Sequence, residues 1–264
     1  MVTCLLTQPV PRLAALCDEI RAAGLVAVPL AFSRLELIES AAGRLADLNF
    51  EAFDKIIFVS PSAVLFARDA IAQMVAARRP HIAVIGAGTA AALNTAHAGV
   101  SALQPPDPPY DADHLSAIAE MAPGKNEAML VVRGERGRDD WIENFRGAGV
   151  AMTVVALYRT RAIDPDASAV ASVMGLAGSD SKALTLVSSM GLAERLLTWQ
   201  PPDESVNPGV SSQAVIDWLR RQPAMVSHPR VAKRLTDGGF DSTILPAGQQ
   251  SLVSAAIQWA HENA

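Results

Sequence analysis

The stretch that decides the fold is residues 130–141, with the sequence LVVRGERGRDDW. Aliphatic residues stop at Arg133, a segment with two glycines and three arginines follows, and helix-like spacing resumes at Trp141. This pattern predicts a strand, a turn and the first turn of a helix. Ligands of open α/β sheets bind beyond the carboxyl ends of the strands, where helix N-termini present free N–H groups. Three guanidiniums there predict a carboxylate or phosphate ligand, and a solvated charge cluster is the equally open alternative.

The composition of the 264 residues limits the class of protein. Half of them are hydrophobic but only 5% are aromatic, so the core must consist mainly of aliphatic side chains, which suits helices packed on parallel strands. The formal net charge of -5 argues against a general nucleic-acid or acidic-membrane surface. We therefore expect neither nucleic acid nor membrane as a partner, and any anion site must be local.

The sequence does not indicate a metal or a disulfide. Cys4 and Cys17 lie in a predicted strand and the helix after it, outside any CxxC or Cys/His cluster, and the five histidines lack metal-ligand spacing. The amino terminus lacks a basic segment followed by a long apolar run, and no stretch is long enough to span a membrane. We expect a soluble cytoplasmic protein with two buried thiols and no metal.

Strand-then-helix units recur along the whole chain. Residues 150–161 form a run that is too long for an average strand and is typical of a strand that bridges two sheets or domains. Pro29 interrupts the second predicted strand and favours a sheet edge or an exit from the sheet. We predict an α/β protein with two Rossmann/flavodoxin-like parallel-sheet domains joined by a two-stranded connection. The predicted bounds are residues 1–32 plus 162–264, residues 33–161, and bridging strands near 28–34 and 154–161.

Hydroxyls and glycines gather at the predicted strand-to-helix junctions. Most of these serines are expected to cap helices, and some can also hydrogen-bond a ligand. No serine lies in a G-x-S-x-G motif with a partnered His/Asp set, and the Gly86-Ala87-Gly88 turn lacks the third glycine and the acidic residue of a dinucleotide fingerprint. The junction residues of interest are Ser60, Ser62, Gly86, Thr89, Ser188, Ser189 and His228.

Tyr158 is one of only two tyrosines. It lies near the end of the predicted bridging strand, close to Arg159 and Arg161. It is either an interface aromatic with a hydrated hydroxyl or a proton donor in a cleft.

Six segments and one serine pair together resemble the uroporphyrinogen-III synthase family, in order and spacing, over essentially the whole chain. They are residues 6–9 (LTQP), 53–64 (FDKIIFVSPSAV), 82–93 (IAVIGAGTAAAL), 130–139 (LVVRGERGRD), 154–159 (VVALYR), the pair Ser188-Ser189, and 228–239.

The resemblance implies a two-lobed α/β enzyme with an active-site cleft between the lobes and no metal or organic cofactor. The implied substrate is hydroxymethylbilane, a linear tetrapyrrole with acetate and propionate side chains. The implied reaction loses the terminal hydroxyl as water, closes the macrocycle and inverts the last pyrrole ring through a spirocyclic intermediate. We expect a monomer that contacts the enzyme that makes the substrate only transiently.

The family's motif residues match individual positions of this chain. Thr89 matches the threonine of the G-x-x-T-A segment, Ser62 the serine of the first hydroxyl junction, and Tyr158 the tyrosine after the bridging strand, which makes Tyr158 the candidate catalytic residue. The candidate substrate-binding residues are Ser60, Ser62, Gly86, Thr89, Arg133, Gly134, Arg138, Ser188, Ser189 and His228. The chain departs from the family pattern at Gln8, where arginine is common, and at residues 227–230, where a glycine-hydroxyl segment often occurs.

Two other functions fit parts of the sequence. A non-catalytic two-lobed binding protein for an anionic metabolite would use the same helix starts. A nucleotide-dependent oxidoreductase would rest on the Gly86-Ala87-Gly88 turn alone.

Overall fold

The computed structural model describes residues 2–77, 80–107, 110–202, 210–246 and 251–263. The chain forms two units, one from Met1–Arg34 with Arg161–Ala264 and the other from Leu35–Thr160. The chain therefore crosses from one unit to the other twice. The sequence predicted the first crossing after residue 32 and the second after residue 161, whereas the structure has them after residues 34 and 160.

The two units contain the following strands and helices. The strands are β1 (Thr3–Leu6), β2 (Val26–Pro29), β3 (Ser33–Leu37), β4 (Lys55–Phe58), β5 (His81–Val84), β6 (Ala128–Gly134), β7 (Ala151–Ala162), β8 (Ala183–Val187), β9 (Ala224–Val226) and β10 (Thr243–Ile244). The helices are α1 (Arg12–Ala22), α2 (Glu39–Ala46), α3 (Pro61–Ala76), α4 (Ala87–Ala96), α5 (Ala112–Ser116), α6 (Asp140–Gly147), α7 (Ala167–Gly178), α8 (Met190–Thr198), α9 (Ser212–Arg221), α10 (Pro229–Asp237) and α11 (Leu252–Glu262). In the described part of the chain, no helix is both long and apolar enough to cross a membrane.

Each unit has one five-stranded sheet, in the order β10-β9-β8-β1-β2 in the first unit and β3-β7-β6-β4-β5 in the second. In the first, β1 runs parallel to β2 and β8, β8 to β9, and β9 to β10. In the second, β4 runs parallel to β5 and β6, and β6 to β7. The prediction of an α/β fold with two parallel sheets is confirmed. Pro29, which cannot donate to a ladder, ends the edge strand β2.

The sheet of the second unit is covered on both faces, which is why its strands read as aliphatic runs. Successive side chains of a strand point to opposite faces. In β4, Ile56 and Phe58 pack in one buried cluster with α2, α3 and α4, and Ile57 packs in another with α5 and α6. Trp141 belongs to the second cluster, so the first apolar residue after the arginine-rich turn fastens α6 to the sheet.

The strands through which the chain enters and leaves the second unit are neighbours in its sheet. In the sheet order β3 lies beside β7, and the Ile38 N–H donates to the Leu157 carbonyl over 2.8 Å. The predicted partner of the bridging strand was residues 28–34. The observed partner, β3, begins at Ser33, because β2 belongs to the first sheet and ends at Pro29.

A buried ion pair joins Lys55, at the start of β4, to Glu127, just before β6. The exposed fractions of the two side chains are only 7% and 9%. The second carboxylate oxygen of Glu127 accepts a hydrogen bond from the Gly124 N–H over 2.8 Å. The pair therefore fastens the amino-terminal ends of two neighbouring strands, at the edge of the sheet opposite to the helix starts.

We predict that Lys55→Met lowers the free energy of unfolding by roughly 3 to 5 kcal/mol, because it leaves the Glu127 carboxylate buried without its cation. Thermal and urea unfolding followed by circular dichroism would measure the loss. The double variant Lys55→Met with Glu127→Gln keeps the acceptor for Gly124 and removes the charge, so it should recover most of that loss. A double variant as unstable as Lys55→Met alone would contradict this account of the pair.

Candidate functional site

The candidate site lies at the carboxyl edge of the sheet in the second unit. Parallel strands end at the same edge, so the residues after β4, β5 and β6 and near the end of β7 are brought to one side of the sheet. Each of the first three strands is followed by a turn that leads into a helix. Such an edge is the usual ligand site of open α/β sheets.

The most specific contact at this edge joins the Ser60 Oγ and the Tyr158 Oη, which lie 2.9 Å apart. Ser60 is the N-cap of α3, and its Oγ accepts a hydrogen bond from the Ala63 N–H over 3.1 Å. The Tyr158 ring stacks on Phe66, with 5.3 Å between ring centroids and 19° between ring planes. The phenol is therefore fixed by a hydroxyl on one side and an aromatic ring on another, beside the amino terminus of a helix.

Gly134 makes room for the Tyr158 ring. The register between β6 and β7 shifts after Arg133, so that Gly134 lies opposite Tyr158. The Glu135 N–H then donates to the Tyr158 carbonyl over 2.7 Å. A Cβ at position 134 would lie 2.8 Å from both Cε2 and Cζ of the tyrosine, closer than such atoms approach in proteins. Only glycine fits this position without moving the ring.

Arg133 is a buried residue near the carboxyl end of β6, and its side chain bonds to the turn that follows the strand. Its Nε donates to the Gly134 carbonyl over 3.1 Å, its Nη1 donates to the Arg138 carbonyl over 3.4 Å, and the same Nη1 is paired with the Asp139 carboxylate. Gly137 allows the guanidinium to come close, because a Cβ there would lie 2.7 Å from Nη2. These contacts make Arg133 the residue that shapes the turn.

Arg138 is exposed and points to two carboxylates. Its Nη1 donates to Asp113 of α5 over 2.9 Å, and its Nε donates to Asp140 of α6 over 3.1 Å. The hydrogen bond from Arg138 holds the pKa of Asp140 below its ordinary value, and the two aspartates raise the pKa of Arg138. Arg138 can bind a carboxylate ligand, but the ligand has to compete with two carboxylates already in place.

The helix after β5 begins beside the helix after β4. Gly86 is the N-cap of α4, Thr89 is buried in the first turn of α4, and Ser62 is buried in the first turn of α3. A Cβ on Gly88 would lie 3.7 Å from the Pro61 Cγ, which shows how close the two helix starts come. The free N–H groups of two helix N-termini are thus available at one place.

Tyr110 is a residue of this edge that sequence reasoning missed. A Cβ on Gly86 would lie 2.7 Å from the Tyr110 Cβ and 3.0 Å from its Cγ, so the tyrosine stem packs against the Cα of this N-cap residue. The signal that could have found it is its rarity, since it is the only tyrosine besides Tyr158.

Ser188, Ser189 and His228 lie in the first unit, at the carboxyl edge of the other sheet. Ser189 caps α8 by accepting from the Leu192 N–H over 3.3 Å, and His228 caps α10 through its Nδ1, which accepts from the Arg230 N–H over 3.1 Å. The Ser227 hydroxyl donates to the Ser188 carbonyl over 2.9 Å and so links the two strand ends. Gln8, after the neighbouring strand β1, is only 2% exposed.

Within the described ranges, no group of three or more His, Cys, Asp or Glu residues could hold a metal ion. Cys4 and Cys17 are free and buried, and burial raises the pKa of the Cys4 thiol to about 11.

Two parallel sheets, each with helix starts at its carboxyl edge, define a two-unit α/β protein. The hydroxyls, amide groups and arginines at these edges are of the chemical types that bind anions. The family model described as uroporphyrinogen-III synthase HemD matches residues 14–253, and the chain therefore belongs to the uroporphyrinogen-III synthase family. The members of this family are cyclising lyases of tetrapyrrole biosynthesis. The family match supports the enzyme, and nothing in the comparisons favours the anion-binding protein.

The chain is also similar to two solved structures. One is a mutant uroporphyrinogen III synthase from the extremely thermophilic bacterium Thermus thermophilus, with a TM-score of 0.54 and 13% identity over 99% of this chain and 98% of that chain. The other is the uroporphyrinogen-III synthetase from Helicobacter pylori, with a TM-score of 0.53 and 12% identity over 100% of both chains. At this identity the likeness shows the shared fold.

We predict that Gly134→Ala moves the Tyr158 ring away from Ser60 and lowers the free energy of unfolding by roughly 1 to 3 kcal/mol, as overpacking does. Near-ultraviolet circular dichroism and thermal unfolding would measure the two effects. Gly43→Ala, in α2 of the same unit, is the matched control because no atom lies within 4 Å of a Cβ at that position. Equal behaviour of the two variants would contradict the close approach of Gly134 and Tyr158.

Proposed function

We propose that this chain converts hydroxymethylbilane into uroporphyrinogen III, with loss of water and inversion of the terminal pyrrole ring. The family match over residues 14–253 supports this activity most strongly. The pairing of Tyr158 with Ser60 at a carboxyl edge supports the proposed position of the chemistry. Incubation with hydroxymethylbilane, followed by oxidation and chromatographic separation of the isomers, tests it. Only the spontaneous type I isomer at every enzyme concentration would refute it.

The proposed reaction requires no covalent bond between the substrate and the protein. Loss of hydroxide from a hydroxymethylpyrrole is assisted by the electron pair of the pyrrole nitrogen, so the protein has to supply a proton and a fixed geometry. In our proposal the Tyr158 hydroxyl donates a hydrogen bond or a proton to the departing hydroxyl. Ser60 supports this role because its Oγ lies within hydrogen-bond distance of the phenol and is itself held by the amide of Ala63. Phe66 supports it by restricting rotation of the ring.

The acetate and propionate groups of the substrate need hydrogen-bond donors. In our proposal the N-termini of α3 and α4, with Ser62, Gly86 and Thr89, bind some of these carboxylates through amide and hydroxyl groups. Arg138 binds another in competition with Asp113 and Asp140. Arg133 and Gly134 act indirectly, since one shapes the turn and the other makes room for Tyr158.

The first unit is proposed to bind substrate through Ser188, Ser189 and His228. Ser189 and His228 cap helices that begin at the carboxyl edge of the first sheet, and Ser188 precedes one of those helices. Helix starts of this kind bind carboxylates in general.

We place the reaction in the cytoplasm, where thiols stay reduced, because Cys4 and Cys17 are both free. We also propose that the enzyme acts as a monomer and contacts the enzyme that makes its unstable substrate only transiently.

Tyr158→Phe is predicted to lower kcat about a hundredfold, the lower part of the range for general acid catalysis, and to raise the share of type I isomer. The reason is that the unassisted ring closure competes once the departing hydroxyl has no proton donor. Steady-state kinetics with separation of the isomers would measure both. Full turnover with full isomer fidelity would exclude the proposed role.

Ser60→Ala should reproduce part of this loss, because the phenol is no longer oriented, and should also cost about 1 kcal/mol of stability through the lost helix cap. Ser211→Ala removes an equivalent cap at the start of α9, where the Oγ accepts from the Ala214 N–H over 3.2 Å. This control should lower stability by a similar amount and leave kcat unchanged.

Arg138→Gln is predicted to raise KM about fivefold with little change in kcat, the size expected for the loss of one exposed charge pair. The increase should shrink as ionic strength rises, since salt screens the interaction that was lost. Arg136→Gln, two residues away on the same exposed turn, is the control and should leave KM unchanged. An equal rise in both variants would indicate a general charge effect in place of a specific contact.

A further inference from the structure

The second tyrosine of the chain, Tyr110, is placed at the same sheet edge as Tyr158 but in a different chemical situation. The Tyr158 hydroxyl has the Ser60 Oγ as its hydrogen-bond partner. The Tyr110 hydroxyl is shielded from solvent and has no hydrogen-bond partner among the residues that the structure describes. A buried hydroxyl without a hydrogen-bond partner costs folding free energy, so an acceptor supplied by a ligand would satisfy it.

Contacts of Tyr110 and of the residues that follow it place the tyrosine in the second unit. Its Cβ and Cγ lie over Gly86, which leaves no space for a side chain at the N-cap of α4. The next residue, Asp111, caps α5 by accepting from the His114 N–H over 3.0 Å, and Asp113 of that helix binds Arg138. The tyrosine thus packs against the start of α4 and directly precedes the helix whose Asp113 binds Arg138. Both the start of α4 and Arg138 belong to the proposed site.

The hydroxyl is suited to donate a hydrogen bond. Burial raises the pKa of Tyr110, and the nearby Asp107 carboxylate raises it further. Both effects favour the neutral phenol, which keeps its proton and can donate it in a hydrogen bond. The stem of the ring packs against the N-cap of α4, and a helix N-terminus favours negative charge, so an anionic acceptor is the partner that suits this O–H donor best. A hydrogen bond to such an acceptor is charge-assisted and stronger than a neutral one.

We propose that Tyr110 is a substrate-binding residue, whose hydroxyl donates a hydrogen bond to one of the carboxylate side chains of the tetrapyrrole. This inference rests on the proposed function, because that function supplies the polycarboxylate. It separates the roles of the two tyrosines: Tyr158 acts at the departing hydroxyl, and Tyr110 acts at the periphery of the substrate.

Tyr110→Phe tests the proposal. We expect KM to rise about tenfold, as for the loss of a hydrogen bond to a charged group, with kcat and the isomer ratio unchanged. The Tm should stay the same or rise, because the variant removes a polar group that was buried without a partner. A hydroxyl with a structural role, including one bound to a buried water, predicts the opposite, namely a lower Tm. An unchanged KM or a lower Tm would overturn the proposal.

Thr185→Val is the matched control. Thr185 lies inside β8 of the first unit, is fully buried, and its Oγ1 likewise has no hydrogen-bond partner in the described part of the chain. Valine has nearly the same shape, so this variant should also keep or raise Tm while KM stays at the wild-type value. A rise in KM in the control as large as that in Tyr110→Phe would overturn the proposal, because it would show that the change does not come from a contact at Tyr110.

A binding experiment separates failure of this proposal from failure of the proposed function. Uroporphyrin III, the oxidised form of the expected product, carries the same carboxylates and can be titrated by fluorescence without turnover. The wild-type chain should bind it about tenfold more tightly than Tyr110→Phe does, for the same lost hydrogen bond. The proposed function fails if the wild-type chain does not produce the type III isomer. The role of Tyr110 fails if the wild-type chain and Tyr110→Phe bind the porphyrin equally tightly.

Discussion

The parallel pairing of β7, β6, β4 and β5 is the constraint on which the candidate site depends. Parallel strands must be joined by crossover connections, and each crossover here returns the chain to the same end of the sheet. Ser60, Gly86 and Gly134 therefore come to one edge although they are far apart in the sequence. The helix that follows each strand begins at that edge and directs its free N–H groups to the same place.

Several residues at this edge serve the fold and the site together. Ser60 completes the first turn of α3 and holds the Tyr158 phenol with the same oxygen. Gly134 ends β6 and leaves the space that the tyrosine ring fills. A change at either residue therefore has consequences for stability as well as for chemistry, and only a control at an equivalent position elsewhere can separate the two.

Arg133 and Arg138, at the two ends of the arginine-rich segment, differ in burial and in their partners. Arg133 is buried and bonded within its own turn, so its charge stabilises the loop. Arg138 is exposed and bonded to Asp113 and Asp140, so its charge is accessible but already balanced. In the proposed function, a carboxylate of the substrate would have to displace one of these aspartates before Arg138 could bind it.

The sequence by itself determined the α/β class, the two parallel sheets and the strand-to-helix junctions. Aliphatic runs, helical spacing and capping hydroxyls are local signals, and each depends on residues that are close together in the chain. The junction after β6 was predicted from residues 130–141 alone, and Pro29 marked an edge strand.

Only the tertiary structure decided what the individual side chains do. The sequence does not tell Arg133 and Arg138 apart, but Arg133 lies in β6 and is buried, whereas Arg138 lies in the turn after the strand and is exposed. The pairing of Tyr158 with Ser60 spans 98 positions, and the contact of Tyr110 with Gly86 joins two loops that no sequence period connects. Side-chain partners of this kind are fixed by the register of strands and the approach of helices, which a single sequence does not encode locally.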